Sequence, residues 1–124
     1  MPGAVELLTE LERRRLPQAI LTRNSREMTD LALRRLQLAF SQVLTREDAP
    51  PKPDPQGLHI ICRNWQIDPS DVVFVGDFHF DITAGRRAGM ATVLYAPGPL
   101  PDYAHEADFV ITDLAHLCNV LAQV

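Results

Sequence analysis

The sequence predicts an α/β fold with a parallel sheet flanked by helices. Short apolar runs alternate along the chain with segments whose apolar residues recur at helical spacing. Polar or Pro/Gly-rich residues follow each run, so each strand is separated from the next by a crossover, which makes neighbouring strands parallel. The run Val72-Val73-Phe74-Val75 is apolar at every position, as a strand buried on both faces must be. With 124 residues, 46% hydrophobic and 23% charged, the chain reads as one globular domain, 1–124, rather than a disordered segment.

Each element has its own warrant. Residues 3–15 carry Val5, Leu8 and Leu11 on one stripe, a helix that Pro17 ends. The Arg13-Arg14-Arg15 run reads as its solvated C-terminal end, where cations favour the helix dipole. Ala19-Ile20-Leu21 is a short strand, followed by polar Thr22-Arg23-Asn24-Ser25. A second helix spans about Ser25 to Gln37, with Asn24 as N-cap and Glu27 completing a capping-box-like pair. Leu31 and Leu38 lie on one face at helical spacing, with Met28 and Leu36 near it. Gln42-Val43-Leu44 is a brief strand, and Thr45 to Pro53 a polar, Pro-rich loop.

Asp54-Pro55 starts a third helix, which buries Leu58, Ile61, Cys62 and Trp65. The turn Asp68-Pro69-Ser70 leads to the central strand 72–76. A helix follows Asp81 and runs to about Ala88, with Gly89 as a left-handed C-cap. Ala91–Tyr95 and Asp108–Ile111 are the last strands, separated by a Pro/Gly loop from Ala96 to Pro101. Thr112 or Asp113 then caps a helix with Leu114, Leu117, Cys118 and Leu121.

Several classes of function recede at this stage. A formal net charge of −4 gives no reason to expect a nucleic-acid partner. No apolar run approaches the roughly 20 residues that span a bilayer. Met-Pro-Gly-Ala-Val-Glu lacks the basic-then-apolar pattern of a signal peptide. Cys62 and Cys118 each fall in an apolar helical pattern, so both are read as reduced thiols and the cytoplasm as the compartment.

Three polar groups stand just past strands, where open parallel sheets bind ligands. Thr22-Arg23-Asn24 lies at a helix N-terminus, whose backbone N–H groups and threonine hydroxyl can hold an anion such as phosphate; plain capping by Asn24 is the simpler alternative. Lys52, in Pro50-Pro51-Lys52-Pro53-Asp54-Pro55, is a cation on a backbone stiffened by proline. Asp77 follows Gly76, with Asp81 four residues on. Two clustered carboxylates call for a cation, and Mg²⁺ is a natural one, unless both only cap the next helix. An anion hook, a held cation and an acidic pair are what phosphoryl transfer asks of a protein.

With these pieces in order, the chain resembles the core domain of the haloacid dehalogenase (HAD) superfamily, in particular its phosphoglycolate-phosphatase-like group. The matching segments are Ile20-Leu21-Thr22-Arg23-Asn24-Ser25, Lys52-Pro53-Asp54-Pro55 and Val75-Gly76-Asp77-Phe78-His79-Phe80-Asp81-Ile82. The resemblance implies a Rossmann-like, HAD-type parallel sheet and an Mg²⁺-dependent phosphatase for a small phosphorylated metabolite, such as phosphoglycolate. It implies that Thr22 binds the phosphoryl group with Asn24 in support, and that Lys52 neutralises phosphate and nucleophile charge as a catalytic residue. Asp77 would ligate Mg²⁺, and Asp81 would orient a metal-bound water or pair with Lys52. Arg23 and His79 would meet either substrate or solvent.

One part of the family pattern has no counterpart. Family members begin with a strand ending in Asp-x-Asp, whose first aspartate attacks phosphorus. No Asp-x-Asp occurs in these 124 residues, and the first aspartate, Asp30, falls within a predicted helix. Most of the cap domain is also without a counterpart, residues 1–16 resembling at most its remnant or linker helix. The expectation is therefore an incomplete sheet lacking its central first strand, between the strand ending at Thr22 and the one ending at Gly76. A chain of that kind is expected to be inactive alone and to self-associate through unpaired strand edges. A non-catalytic phosphate- and Mg²⁺-binding module is the alternative reading.

Overall fold

The computed structural model, which describes residues 3–121, holds five short strands and five α-helices, alternating except between the last two strands. Residues 1–2 and 122–124 of the expected domain lie outside the described residues. In chain order the elements are α1 (Ala4–Arg13), β1 (Ala19–Leu21), α2 (Arg26–Leu36), β2 (Gln42–Leu44), α3 (Gln56–Trp65), β3 (Val73–Gly76), α4 (His79–Ala88), β4 (Ala91–Tyr95), β5 (Phe109–Ile111) and α5 (Leu117–Leu121). Every strand pair is parallel, as the alternation predicts.

The strands form two sheets. Among the described residues β1 pairs only with β2, in the register Ile20↔Val43, while β3, β4 and β5 pair in that order, with Val75↔Val93 and Leu94↔Val110. β1 and β3 are not hydrogen-bonded to each other. The expected interruption of the sheet is thus present, between the strand that precedes Thr22 and the strand that ends at Gly76.

Helices cover both faces of the three-stranded sheet. On one face Leu7, Leu11, Leu117 and Val120, from α1 and α5, pack on Val93, Tyr95 and Ile111. On the other, Leu58 and Cys62 of α3 meet Ala84 and Ala88 of α4, with Leu21 of β1 and Phe74 of β3 against them. α3 therefore ties the two sheets together across the interruption. α1, read from the resemblance as a cap or linker remnant, packs with α5 on this sheet.

Some local expectations change. In α1 the buried residue is Leu7, whereas Val5 is 74% exposed, because Ala4, Leu7 and Leu11 form an equally regular stripe and that stripe meets the sheet. Ser25, not Asn24, caps α2: its Oγ accepts from Met28 N at 3.2 Å, while Asn24 N–H turns back to Thr22 Oγ1. Met28 and Leu36, placed near the Leu31 and Leu38 face of α2, are exposed. α4 starts before Asp81, which sits in its first turn. The last helix begins as a 3₁₀ turn, Leu114–His116, capped by Asp113 rather than Thr112. Arg13 and Arg14 both pair with Glu10, and their guanidinium hydrogen bonds pull the Glu10 carboxyl down to about 2. Both cysteines are free thiols, Cys62 buried and Cys118 half-buried. No described helix is long and apolar enough to cross a membrane.

Candidate active site at the seam between the sheets

β3 ends at Gly76, and the next two residues turn into α4. That turn folds Asp81 back onto the strand end. Its Oδ2 accepts from Asp77 N at 3.2 Å and Phe78 N at 3.1 Å, answering N–H groups that a helix start leaves open. The approach is so close that a Cβ on Gly76 would stand 2.3 Å from the Asp81 Cβ, so glycine is required there.

The other oxygen of Asp81 meets Lys52. Nζ to Oδ1 is 2.6 Å, and the two side chains are only 14% and 9% exposed. Lys52 lies in the turn after Pro51, joined to Pro53 by a cis peptide bond. Its ammonium also reaches Leu21 O, at 3.4 Å, and stands 5.7 Å from the centre of the Phe74 ring. A buried cation is stable only when so surrounded, and here every contact draws it toward the seam between β1 and β3. A cavity of about 230 Å³ opens at that seam, lined by Leu21 on the β1 side, by Val75 and Gly76 on the β3 side, and by Lys52, Asp77 and Asp81.

Asp77 is exposed, and its carboxylate makes no hydrogen bond or ion pair among the described residues. Asp77 and Asp81 offer hard oxygen donors, and no described group of three or more His, Cys, Asp or Glu side chains is placed to hold a metal. This donor set fits a cation such as Mg²⁺, which keeps several waters and takes one or two carboxylates plus phosphate oxygens. A closed Zn²⁺ site, with four protein ligands, is not formed.

The structure brings Lys52, Asp77 and Asp81 to one cavity, while Thr22, Arg23 and Asn24 follow β1 on the far side of the seam. The expectation that the α2 N-terminus offers free N–H groups holds only in part. Ser25 Oγ takes the Met28 N–H, and Glu47 Oε2 takes the Arg26 N–H at 3.0 Å. What remains for an anion among the described residues is the Glu27 N–H of the first turn, the Thr22 O–H, whose oxygen already accepts from Asn24 N, and the exposed Arg23 side chain.

Two arrangements escaped the sequence reading. Thr45, Glu47 and Asp48 form a hydrogen-bonded loop around Arg26, whose Nη2 lies 2.6 Å from Asp48 Oδ2. His79, expected at substrate or solvent, keeps its side chain 42% exposed while pairing with Glu106 at 2.7 Å and stacking on Tyr103. No local pattern announces a pair separated by so much chain.

A model of the haloacid dehalogenase-like hydrolase family matches residues 1–95. The chain belongs to that family. It is 35% identical over 128 residues to a haloacid dehalogenase-like hydrolase domain-containing protein of Arabidopsis thaliana, covering 98% of this chain and 52% of the relative. It is 36% identical over 86 residues to the phosphoglycolate phosphatase of Haemophilus influenzae, covering 66% of this chain and 38% of that enzyme. Among solved structures, a 2-haloacid dehalogenase from Pseudomonas syringae pv. tomato superposes with a TM-score of 0.84 at 32% identity, covering 99% of this chain and 53% of the other. The chain thus spans about half the length of the first relative and of this structure.

Proposed function

We propose that this chain handles the phosphate and Mg²⁺ of a phosphomonoester hydrolase and forms one part of its catalytic core. The observation that carries this reading is the Lys52–Asp81 pair, 2.6 Å apart on the cavity that Asp77 also lines. In this reading Lys52 neutralises the phosphate, with Asp81 holding the ammonium in place. The Thr22 hydroxyl donates to a phosphoryl oxygen, oriented by the Asn24 N–H on its own oxygen, and Arg23 adds a second positive charge. Asp77 and Asp81 supply the carboxylates for Mg²⁺, Asp77 directly and Asp81 through a water. When bound, the cation supplies charge neutralisation at the phosphoryl oxygens. The substrate class is a small phosphomonoester of the phosphoglycolate kind. The free thiols Cys62 and Cys118 support a reducing compartment such as the cytoplasm.

Turnover by these residues alone is not expected. No Asp-x-Asp occurs among them, and loss of a covalent nucleophile lowers rates by several powers of ten. The same observation favours a second reading, phosphate and Mg²⁺ binding without hydrolysis. Mg²⁺ binding by calorimetry and Mg²⁺-dependent hydrolysis of an aryl phosphate, by the purified chain beside an Asp77→Asn control, test these roles. Mg²⁺ binding lost in the control, with no turnover in either protein, is the expected result. Turnover that the control abolishes would mean the site is already complete, and absence of Mg²⁺ binding would sink the reading.

The unpaired edges of β1 and β3 support one further expectation, self-association or capture of a strand from a partner. Sedimentation at rising concentration should show growing species. A single monomer at every concentration, with a sharp two-state melt, would count against it.

A further inference from the structure

We propose that Tyr103, His79 and Glu106 form a clamp that positions Asp77 for a divalent cation. The inference rests on the reading of Asp77 as the metal-binding carboxylate. Asp77 belongs to neither β3 nor α4, so no ladder or helix hydrogen bond holds its peptide groups. Side chains hold them instead. Its N–H donates to Asp81 Oδ2, and its carbonyl accepts from the Tyr103 hydroxyl at 3.3 Å. One anchor comes from inside α4 and the other from the connection between β4 and β5. A carboxylate on a backbone tethered at both sides is offered to a cation with little reorganisation.

Tyr103 is itself held. Its ring stacks on the His79 imidazole, with centroids 4.7 Å apart and planes within 8°. His79 Nε2 lies 2.7 Å from Glu106 Oε2, and Arg86 Nη1 donates to Glu106 O at 3.2 Å. α4 therefore grips the Ala104–Glu106 turn at its first and third turns. Beneath the clamp, Tyr103, Ala104 and Ala107 pack on Ile82, Leu94 and Ala96. The Pro/Gly stretch from Ala96 to Pro101 is thereby docked at its far end beside Asp77. A purely structural role, holding the connection onto α4, predicts lost stability but unchanged cation binding.

The test is Mn²⁺ binding, followed by the electron paramagnetic resonance signal of free Mn²⁺, with melting temperature measured in parallel. Asp77→Asn should abolish binding. Tyr103→Phe keeps the stack but loses the hydroxyl, and should weaken Mn²⁺ by about tenfold, the effect typical of groups that orient a ligand, at an unchanged melting temperature. Glu106→Ala should weaken binding similarly, and Glu106→Gln, which can still bond His79, should restore most of it. Wild-type affinity in Tyr103→Phe beside loss in Asp77→Asn would overturn the clamp and leave the Asp77 reading intact. A weakened affinity that merely tracks a lowered melting temperature would also overturn it. Equal binding by wild type and Asp77→Asn, or none by either, would overturn the Asp77 reading and the clamp with it.

Discussion

In the three-stranded half of the molecule, Thr92, Val93 and Leu94 of β4 have no exposed surface, whereas in the two-stranded half no residue of β1 is buried. Both strands are short and largely apolar, β1 followed by a polar segment and β4 by a Pro/Gly loop. The difference lies in their neighbours. β4 has a strand on each side and helices on both faces, while β1 has β2 on one side and the seam on the other. Burial in a parallel sheet is thus a property of the completed sheet rather than of a strand's own composition. The candidate site straddles this contrast. Asp77 and Asp81 stand on the well-packed half, Thr22 on the other, and Lys52 joins them by bonding Asp81 and the Leu21 carbonyl. Removing either partner of that pair would leave a buried charge without an answer.

The sharpest way to break the comparison is a matched pair of core truncations. Leu94→Ala, at a site with no exposed surface, should cost about 3 kcal/mol. Ile20→Ala, at a half-buried site on the seam, should cost about 1 kcal/mol. Urea unfolding followed by circular dichroism measures both. Equal losses would mean that β1 is as well supported as β4 and that the seam has no energetic meaning.

What was legible in the sequence follows the same division between local and completed structure. The strand positions, the Gly89 cap and the Leu58, Ile61 and Cys62 face of α3 each depend on a few consecutive residues, and all are present. The α1 stripe was misread because Val5-Leu8-Leu11 and Ala4-Leu7-Leu11 are both regular, and only the facing sheet chooses between them. The α2 cap was misread because Asn24 and Ser25 are both capable caps; the Thr22 hydroxyl decides by drawing in the Asn24 N–H. For the site, the strings around Thr22, Lys52 and Asp77 mark positions, and the pairing of Asp81 with Lys52 was one of two options they left open. The contacts of Glu47 with Arg26 and of Glu106 with His79 join distant segments, and no spacing rule reaches them.

A smaller effect sharpens the comparison further, because the half that buries less is lashed by charge. Asp48 Oδ2 accepts from Thr45 N at 2.7 Å and lies 2.9 Å from the Thr45 hydroxyl and 2.6 Å from Arg26 Nη2. The Thr45 N–H chiefly, then the Thr45 hydroxyl and Arg26, hold the Asp48 carboxyl below the usual carboxylate range. Glu47 is lowered in the same direction, first by the Thr45 hydroxyl. A lowered carboxyl means that the unfolded chain binds more protons near its ordinary value, so the stabilisation is complete above about pH 4. It is lost as pH falls through the lower, folded-state value. Because Asp48 is partly exposed, solvent screens the effect, and it should be local rather than global. The Thr45 amide proton resonance should hold steady from pH 7 to about pH 4 and move below it, and Asp48→Asn should remove most of that movement. A midpoint at or above the ordinary carboxylate value of about 4 would mean that the carboxylates are not held by Thr45 and Arg26. The two-stranded half would then owe its order to something other than this loop.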